Sequence, residues 1–229
     1  MEKINEKGIV CVTGGTGYVT SWLIMRLLQS GYYVNTTINN NMDEEGASFL
    51  KKLPNASQKL KVFTTNHEDH ETFYPAIEGC NGVIIGHSVD FEDKYDDEER
   101  KIQLSIDGIL GILKACLDSK TIKRVIYTSS DGTIGFIEGG PNVVDESNWT
   151  NIEYDSGVIA LVHVDDVARA HIFLLESTQV KGSCLKVTKA FKCPRPCSKK
   201  LLDVGFKYKY SLEDMYDGAI ASCKEIGLL

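Results

Sequence analysis

The sequence is bounded first by what it lacks. No apolar run approaches the ~20 residues needed to cross a bilayer. The opening "MEKINEKGIVCV" holds no apolar stretch followed by a small-residue cleavage site. No membrane span is expected, and a cytoplasmic chain is. The seven cysteines are an odd number, scattered at Cys11, Cys80, Cys116, Cys184, Cys193, Cys197 and Cys223. That argues against a secreted disulfide framework and for reduced thiols. Basic charge is also short: 25 Lys and Arg stand against 32 Asp and Glu, a formal net charge of -7. With no stripe of cations interleaved with aromatics, nucleic acid is not an expected partner. Internal repeats and low-complexity tracts are absent as well.

What is present is an alternation of strand-like and helix-like segments. The 229 residues, 42% of them hydrophobic, suffice for one good-sized core or for one domain with a small appendage. Strands are expected at 8–13 (GIVCVT), 32–38, 60–65, 82–86 and 123–130. Helices are expected at 21–31, around 44–53, as a turn near 70–80, and over 98–119. Near-continuously apolar strands separated by helices imply a parallel sheet covered on both faces, a doubly wound α/β fold of Rossmann type. After Ser130 the rhythm fails, and residues 131–157, rich in Gly, Asn and Asp, read as loop. A strand and a helix follow over 158–176. A final amphipathic helix is capped by Ser211, with Asp214 three residues on.

The run "VCVTGGTGYVT" carries the clearest chemistry. Gly14 and Gly17 follow a strand and precede a helix, where backbone N–H groups and the helix dipole can hold a pyrophosphate. Thr13, Tyr18 and Val19 flank that turn. The third glycine of the usual pattern, which lets helix and strand approach, is Thr20. A β-branched side chain there is expected to cost ~1–3 kcal/mol unless the helix moves outward. The second strand ends in Ile38, Asn39, Asn40 and Asn41. These include neither the acid that takes a ribose 2′-OH nor the arginine that takes a 2′-phosphate.

Taken together, the runs "CVTGGTGYVTSW", "AIEGC", "DGILGILKACLDSKTIKRVIYTSS", "DESNW", "VHVDDVARAH" and "KKLLDVGFKYKYSLEDM" resemble the dihydroflavonol 4-reductase/vestitone reductase family of extended short-chain dehydrogenases. The resemblance covers about residues 8–149, 162–177 and 199–229. It implies an NADPH-dependent reductase of flavonoid-type ketones, with a nucleotide-binding domain over 1–176 and a reduced remnant of the C-terminal substrate domain over 177–229. It also implies site roles. Ser130 matches the serine that hydrogen-bonds the substrate carbonyl. Asn39 takes the place of the 2′-phosphate arginine and Asn66 that of the adenine-contacting aspartate. Gly86, His87 and Ser88 take the place of the small residues after the fourth strand.

The family's proton donor is a Tyr with a Lys four residues later, on one helix face. None of the ten tyrosines here has a lysine at that spacing. The family places this helix, and the strand and pocket segment after it, between the "DES-W" and "HVDD" runs, where this chain has only Thr150 to Leu161. A second shortening lies between Val187 and Lys199. NADP(H) binding is expected to be weak and catalysis impaired. The lost helix is, by the resemblance, one cover of the helix over 102–116, so an exposed apolar face and self-association are expected.

Three readings follow: a reductase of the family's type with reduced activity, a catalytically dead nucleotide-binding or interaction protein, and a truncated splice or gene-model product. Three features get plainer readings. "HEDH" (67–70) and "CPRPC" (193–197) lack the further ligands that a metal site needs. His163 to Asp166 organise a strand-to-helix junction.

Overall fold

The five strands expected from β-branched runs form a single parallel sheet in the computed structural model. The structure describes residues 7–39, 44–66, 69–86, 98–130, 143–144, 162–180, 195–196 and 199–225. The strands are β1 (Lys7–Thr13), β2 (Tyr32–Asn39), β3 (Leu60–Thr65), β4 (Gly82–Ile85) and β5 (Arg124–Tyr127). Their order is β3-β2-β1-β4-β5 and every pairing is parallel. The order reverses at β1, so the crevice of this doubly wound sheet lies at the carboxyl ends of β1 and its neighbours.

Helices connect the strands: α1 (Tyr18–Gln29), α2 (Glu44–Lys51), α3 (Ala56–Lys59), α4 (Tyr74–Ile77) and α5 (Glu98–Asp118). Leu23, Ile24, Leu27 and Leu28 of α1 are fully buried, as are Val10, Val12 and Val34 of the sheet. A second cluster joins Cys11, Phe73, Ala76, Ile77, Cys80, Val83, Ile85, Ile112, Ala115 and Cys116. Buried Asn35 crosses it, donating from Nδ2 to Ala76 O at 2.8 Å and to Cys80 Sγ at 3.5 Å. The described cysteines are all free. Burial pushes the Cys11 thiol well above the usual range, and pushes Cys80 and Cys116 up to about 11, against the pull of the Asn35 amide at Cys80.

Two apolar surfaces are left open, the first of them the exposed face expected of the helix over 102–116. α5 buries Gly108, Gly111, Ile112, Ala115 and Cys116 on one face, but Ile102, Ile106, Leu110, Leu113 and Leu117 are exposed. Among the described residues β5 is the outermost strand on its side of the sheet, and its Val125 and Tyr127 are exposed too.

By its contacts the chain divides into two compact units, Met1–Thr128 and Ser129–Leu229. This cut falls before the 176/177 boundary read from the resemblance. The reason is that α6 (Val164–Glu176) packs its Ala170 with Leu201 of α7 (Lys199–Asp203) and with Phe206. In the second unit Val143–Val144 (β6) and Arg195–Pro196 (β7) form a short parallel pair. This places a strand within 131–157, expected as loop, because two valines are too short a run to carry a period. The rest of 131–157, the strand expected at 158–161 and the pair Cys193/Cys197 lie outside the described residues.

Candidate dinucleotide site

The glycine turn is built by β1 handing over to α1. Thr13 ends β1, and Gly14 takes a φ of +67°, a left-handed conformation that costs glycine little and a side-chain-bearing residue more. The turn is tied down on its inner side. Gly14 N donates to Thr37 Oγ1 at 3.2 Å, and Gly15 N to Thr37 O at 2.8 Å. Gly17 is the N-cap of α1, with no side-chain cap hydrogen bond and no acidic residue in the first turn. The first amides of a helix have no intrahelical acceptor, so those of Tyr18 and Val19 suit an anion.

Thr20 fits this turn in a way its β-branched shape did not foretell. It is buried, and its hydroxyl donates to Gly14 O and, at 3.0 Å, to Gly17 O. Both carbonyls are thereby engaged within the turn, as are the amides of Gly14, Gly15 and Gly17, the last donating to Gly14 O at 3.2 Å, so the amides at the start of α1 are the ones suited to a phosphate. The methyl of Thr20 occupies the space beside Gly86, where an added Cβ would lie 2.3 Å from Thr20 Cγ2 and 2.7 Å from Thr13 O. Gly86 N in turn donates to Thr13 Oγ1 at 3.2 Å. Helix, first strand and fourth strand therefore meet around one threonine and one glycine.

The parallel register brings several expected site residues to the same end of the sheet. Asn39 pairs with Thr65, Thr13 with Ile85, and Ile85 with Tyr127. Asn39, Gly14, Gly86 and Asn66 thus share the carboxyl-end rim. Asn66 is held in a turn, its amide donating to Thr72 Oγ1 at 3.0 Å and its carbonyl accepting from Asp69 N at 3.1 Å. Ser130 is exposed and lies three residues beyond β5. His87 and Ser88 fall outside the described residues. Asn39 is neutral, so it offers no charge to a 2′-phosphate, although the loop and α1 fit a pyrophosphate.

His163 and Asp166 organise structure in the second unit. His163 Nδ1 accepts from Asp165 N at 3.1 Å at the start of α6, and its ring stacks on Tyr210 at 3.8 Å. Asp166, almost fully buried, accepts from Lys209 N and Tyr210 N at 3.0 and 3.1 Å and from Arg169 Nη1 at 2.7 Å. The sequence motif carried no signal for that role, since the donors come from backbone more than 40 residues away. Among the described residues no group of His, Cys, Asp and Glu could hold a metal ion, and no helix is long and apolar enough to cross a membrane.

A parallel sheet ordered 3-2-1-4-5, with a glycine turn leading from its first strand into an uncapped helix, defines the nucleotide-binding half of a short-chain dehydrogenase/reductase fold. Residues 11–157 match the 3-beta hydroxysteroid dehydrogenase/isomerase family, and the chain belongs to it. Vestitone reductase of Medicago sativa is 34% identical over 323 aligned positions, covering 97% of this chain and 99% of the relative. The crystal structure of the alfalfa enzyme superposes with a TM-score of 0.83 at 32% identity, covering 97% of this chain and all of that one. Dihydroflavonol 4-reductase of Callistephus chinensis is 32% identical over 319 positions, 96% of this chain and 87% of the relative. At the level of fold alone, Gre2 of Candida albicans in complex with NADPH superposes with a TM-score of 0.77 at 16% identity, covering 92% of this chain and 97% of that one. Both close alignments run over more positions than the 229 residues present here. The relatives therefore hold internal segments without counterpart in this chain.

Proposed function

We propose that this chain is an NADP(H)-binding protein of the flavonoid-ketone reductase lineage in which carbonyl reduction is impaired or lost. The observation that carries the binding half is the uncapped start of α1 beside left-handed Gly14. In this reading Thr13, Gly14, Gly17, Tyr18 and Val19 cradle the pyrophosphate, Asn66 meets the adenine, and Gly86, His87 and Ser88 line the approach to the nicotinamide. Asn39 lies at the ribose edge without charge, which makes binding weak. The cofactor, when bound, supplies a hydride. The chain must bring the proton, and Ser130 can only hold the substrate oxygen.

The catalytic half of the proposal rests on the absence of any Tyr-x-x-x-Lys in the whole sequence and on alignments longer than the chain. Losing a positioned acid typically costs ~10²–10⁴ in rate. The substrate is taken to be a small flavonoid-type ketone, as the relatives' names indicate, and the compartment the cytoplasm. The lineage division at 176/177 remains part of this reading. The test is a fluorescence titration with NADPH and with NADH, alongside turnover of vestitone and a dihydroflavonol. Saturable NADPH binding with turnover lower by that factor is expected. Turnover within the ordinary range of about 1–10³ s⁻¹ would overturn the catalytic half, and no binding to either cofactor would overturn the other.

A further inference from the structure

The hydroxyl of Thr20 reaches further than that of a threonine in the first turn of a helix ordinarily does. Such a side chain commonly bonds back to the carbonyl three or four residues earlier, and the 3.0 Å bond to Gly17 O is of that kind. The bond to Gly14 O is not, because it runs six residues back, out of the helix and onto the residue with the left-handed φ. Two peptide units are fixed as a result. The unit between Gly14 and Gly15 is held at both ends, its carbonyl by Thr20 Oγ1 and Gly17 N and its amide by Thr37 O at 2.8 Å. The unit between Gly17 and Tyr18 has its carbonyl held, by Thr20 Oγ1 and by Ser21 N at 2.8 Å. In a trans peptide the C=O and N–H point in opposite directions, so holding this carbonyl inward turns the Tyr18 N–H outward.

We infer that Thr20 is a positioning residue for the dinucleotide: its hydroxyl, which the usual glycine at this place lacks, presets the amides at the start of α1 for the pyrophosphate. The inference deepens the NADP(H)-binding reading and rests on it. The gain is preorganisation. A glycine-rich turn has many conformations to give up on binding, and fixing it beforehand removes that cost from the affinity. A carbonyl left free to swing would also set its negative dipole end against a phosphate. Thr20 is 5% exposed and its methyl lies beside Gly86, so the hydroxyl has little room to leave its two acceptors. Thr20 therefore acts through the backbone of Gly14 and Gly17.

Thr20→Ser and Thr20→Ala isolate the hydroxyl, since both lack the methyl and only serine keeps the oxygen. In a fluorescence titration NADPH should bind Thr20→Ala about three- to tenfold more weakly than the native chain, the weight of one hydrogen bond, and Thr20→Ser within about twofold of native. In the cofactor-free chains, the amides of Gly15 and Gly17 should exchange hydrogen about three- to tenfold faster in Thr20→Ala and nearly at the native rate in Thr20→Ser. A part in stability alone would lower the urea midpoint of both variants and leave the NADPH constant of each where it was. Native binding that Thr20→Ala matches to within about twofold, a Thr20→Ser protein as weak as Thr20→Ala, or unaltered exchange in Thr20→Ala overturns the inference and leaves the binding reading standing. A native chain that binds neither NADPH nor NADH overturns both.

Discussion

A single side chain, Thr20, reconciles a departure from the glycine pattern with a close-packed turn. Its methyl fills the space that a Cβ at residue 86 would need, and its hydroxyl binds two loop carbonyls. Gly86→Ala should therefore destabilise the protein by about 1–3 kcal/mol in urea unfolding. Adding Thr20→Ala should recover only part of that, because Thr13 O also obstructs the new Cβ. At the ribose edge the missing element is charge. Asn39→Arg should tighten NADPH about tenfold, in line with a charged hydrogen bond of roughly 1.5–3 kcal/mol, and leave NADH nearly unchanged in the same titration. The buried thiols give a third residue-level test. With Cys80 and Cys116 pushed up to about 11 by burial, only about one in a thousand of each is thiolate at pH 8. Mapping by mass spectrometry after brief alkylation should find both unmodified in the native state and modified in denaturant.

Elements separate what was legible in the sequence from what was not. The five strands of the sheet were readable because each is a short run rich in β-branched and other apolar residues bounded by turn residues, and α5 because it holds its period for 21 residues. The glycine turn was readable because strand, glycines and helix occur in order. Illegible were the pairing of β6 with β7, each two residues long, and the role of Asp166, whose backbone donors are distant in sequence. The bonds of the Thr20 hydroxyl were illegible because only the folded turn brings Gly14 O and Gly17 O to it. The final helix, α8 (Leu212–Glu225), follows its capping signal: Asp214 accepts from Ser211 N and Ser211 Oγ at 2.7 Å, while Asp214 N donates to Ser211 Oγ at 3.2 Å. Those bonds from Ser211 hold the Asp214 carboxyl below its usual range. A lowered folded-state pKa means the cap's contribution is present above the unfolded carboxyl pKa and is lost as pH falls through the folded one. Helicity of the C-terminal segment, followed by amide exchange, should therefore drop below pH 4 in the native protein. In Ser211→Ala it should already be low at pH 7. Asp166→Ala, which orphans buried donors at residues 209 and 210, should cost the second unit about 2–4 kcal/mol in urea unfolding.

At the scale of the whole molecule, a Rossmann-type sheet has been kept while internal segments of the relatives have no counterpart. Among the described residues the sheet has its rim at β5, four residues long, where Val125 and Tyr127 are exposed. Exposed apolar side chains on a short strand form a surface on which partly opened copies collect. Storage is where this would show: on prolonged warming below the unfolding midpoint, turbid, thioflavin-positive material should accumulate by templating on that rim. A lysine in place of Val125 should delay its onset without moving the midpoint, because the charge acts on what may join the strand and not on what holds it in place.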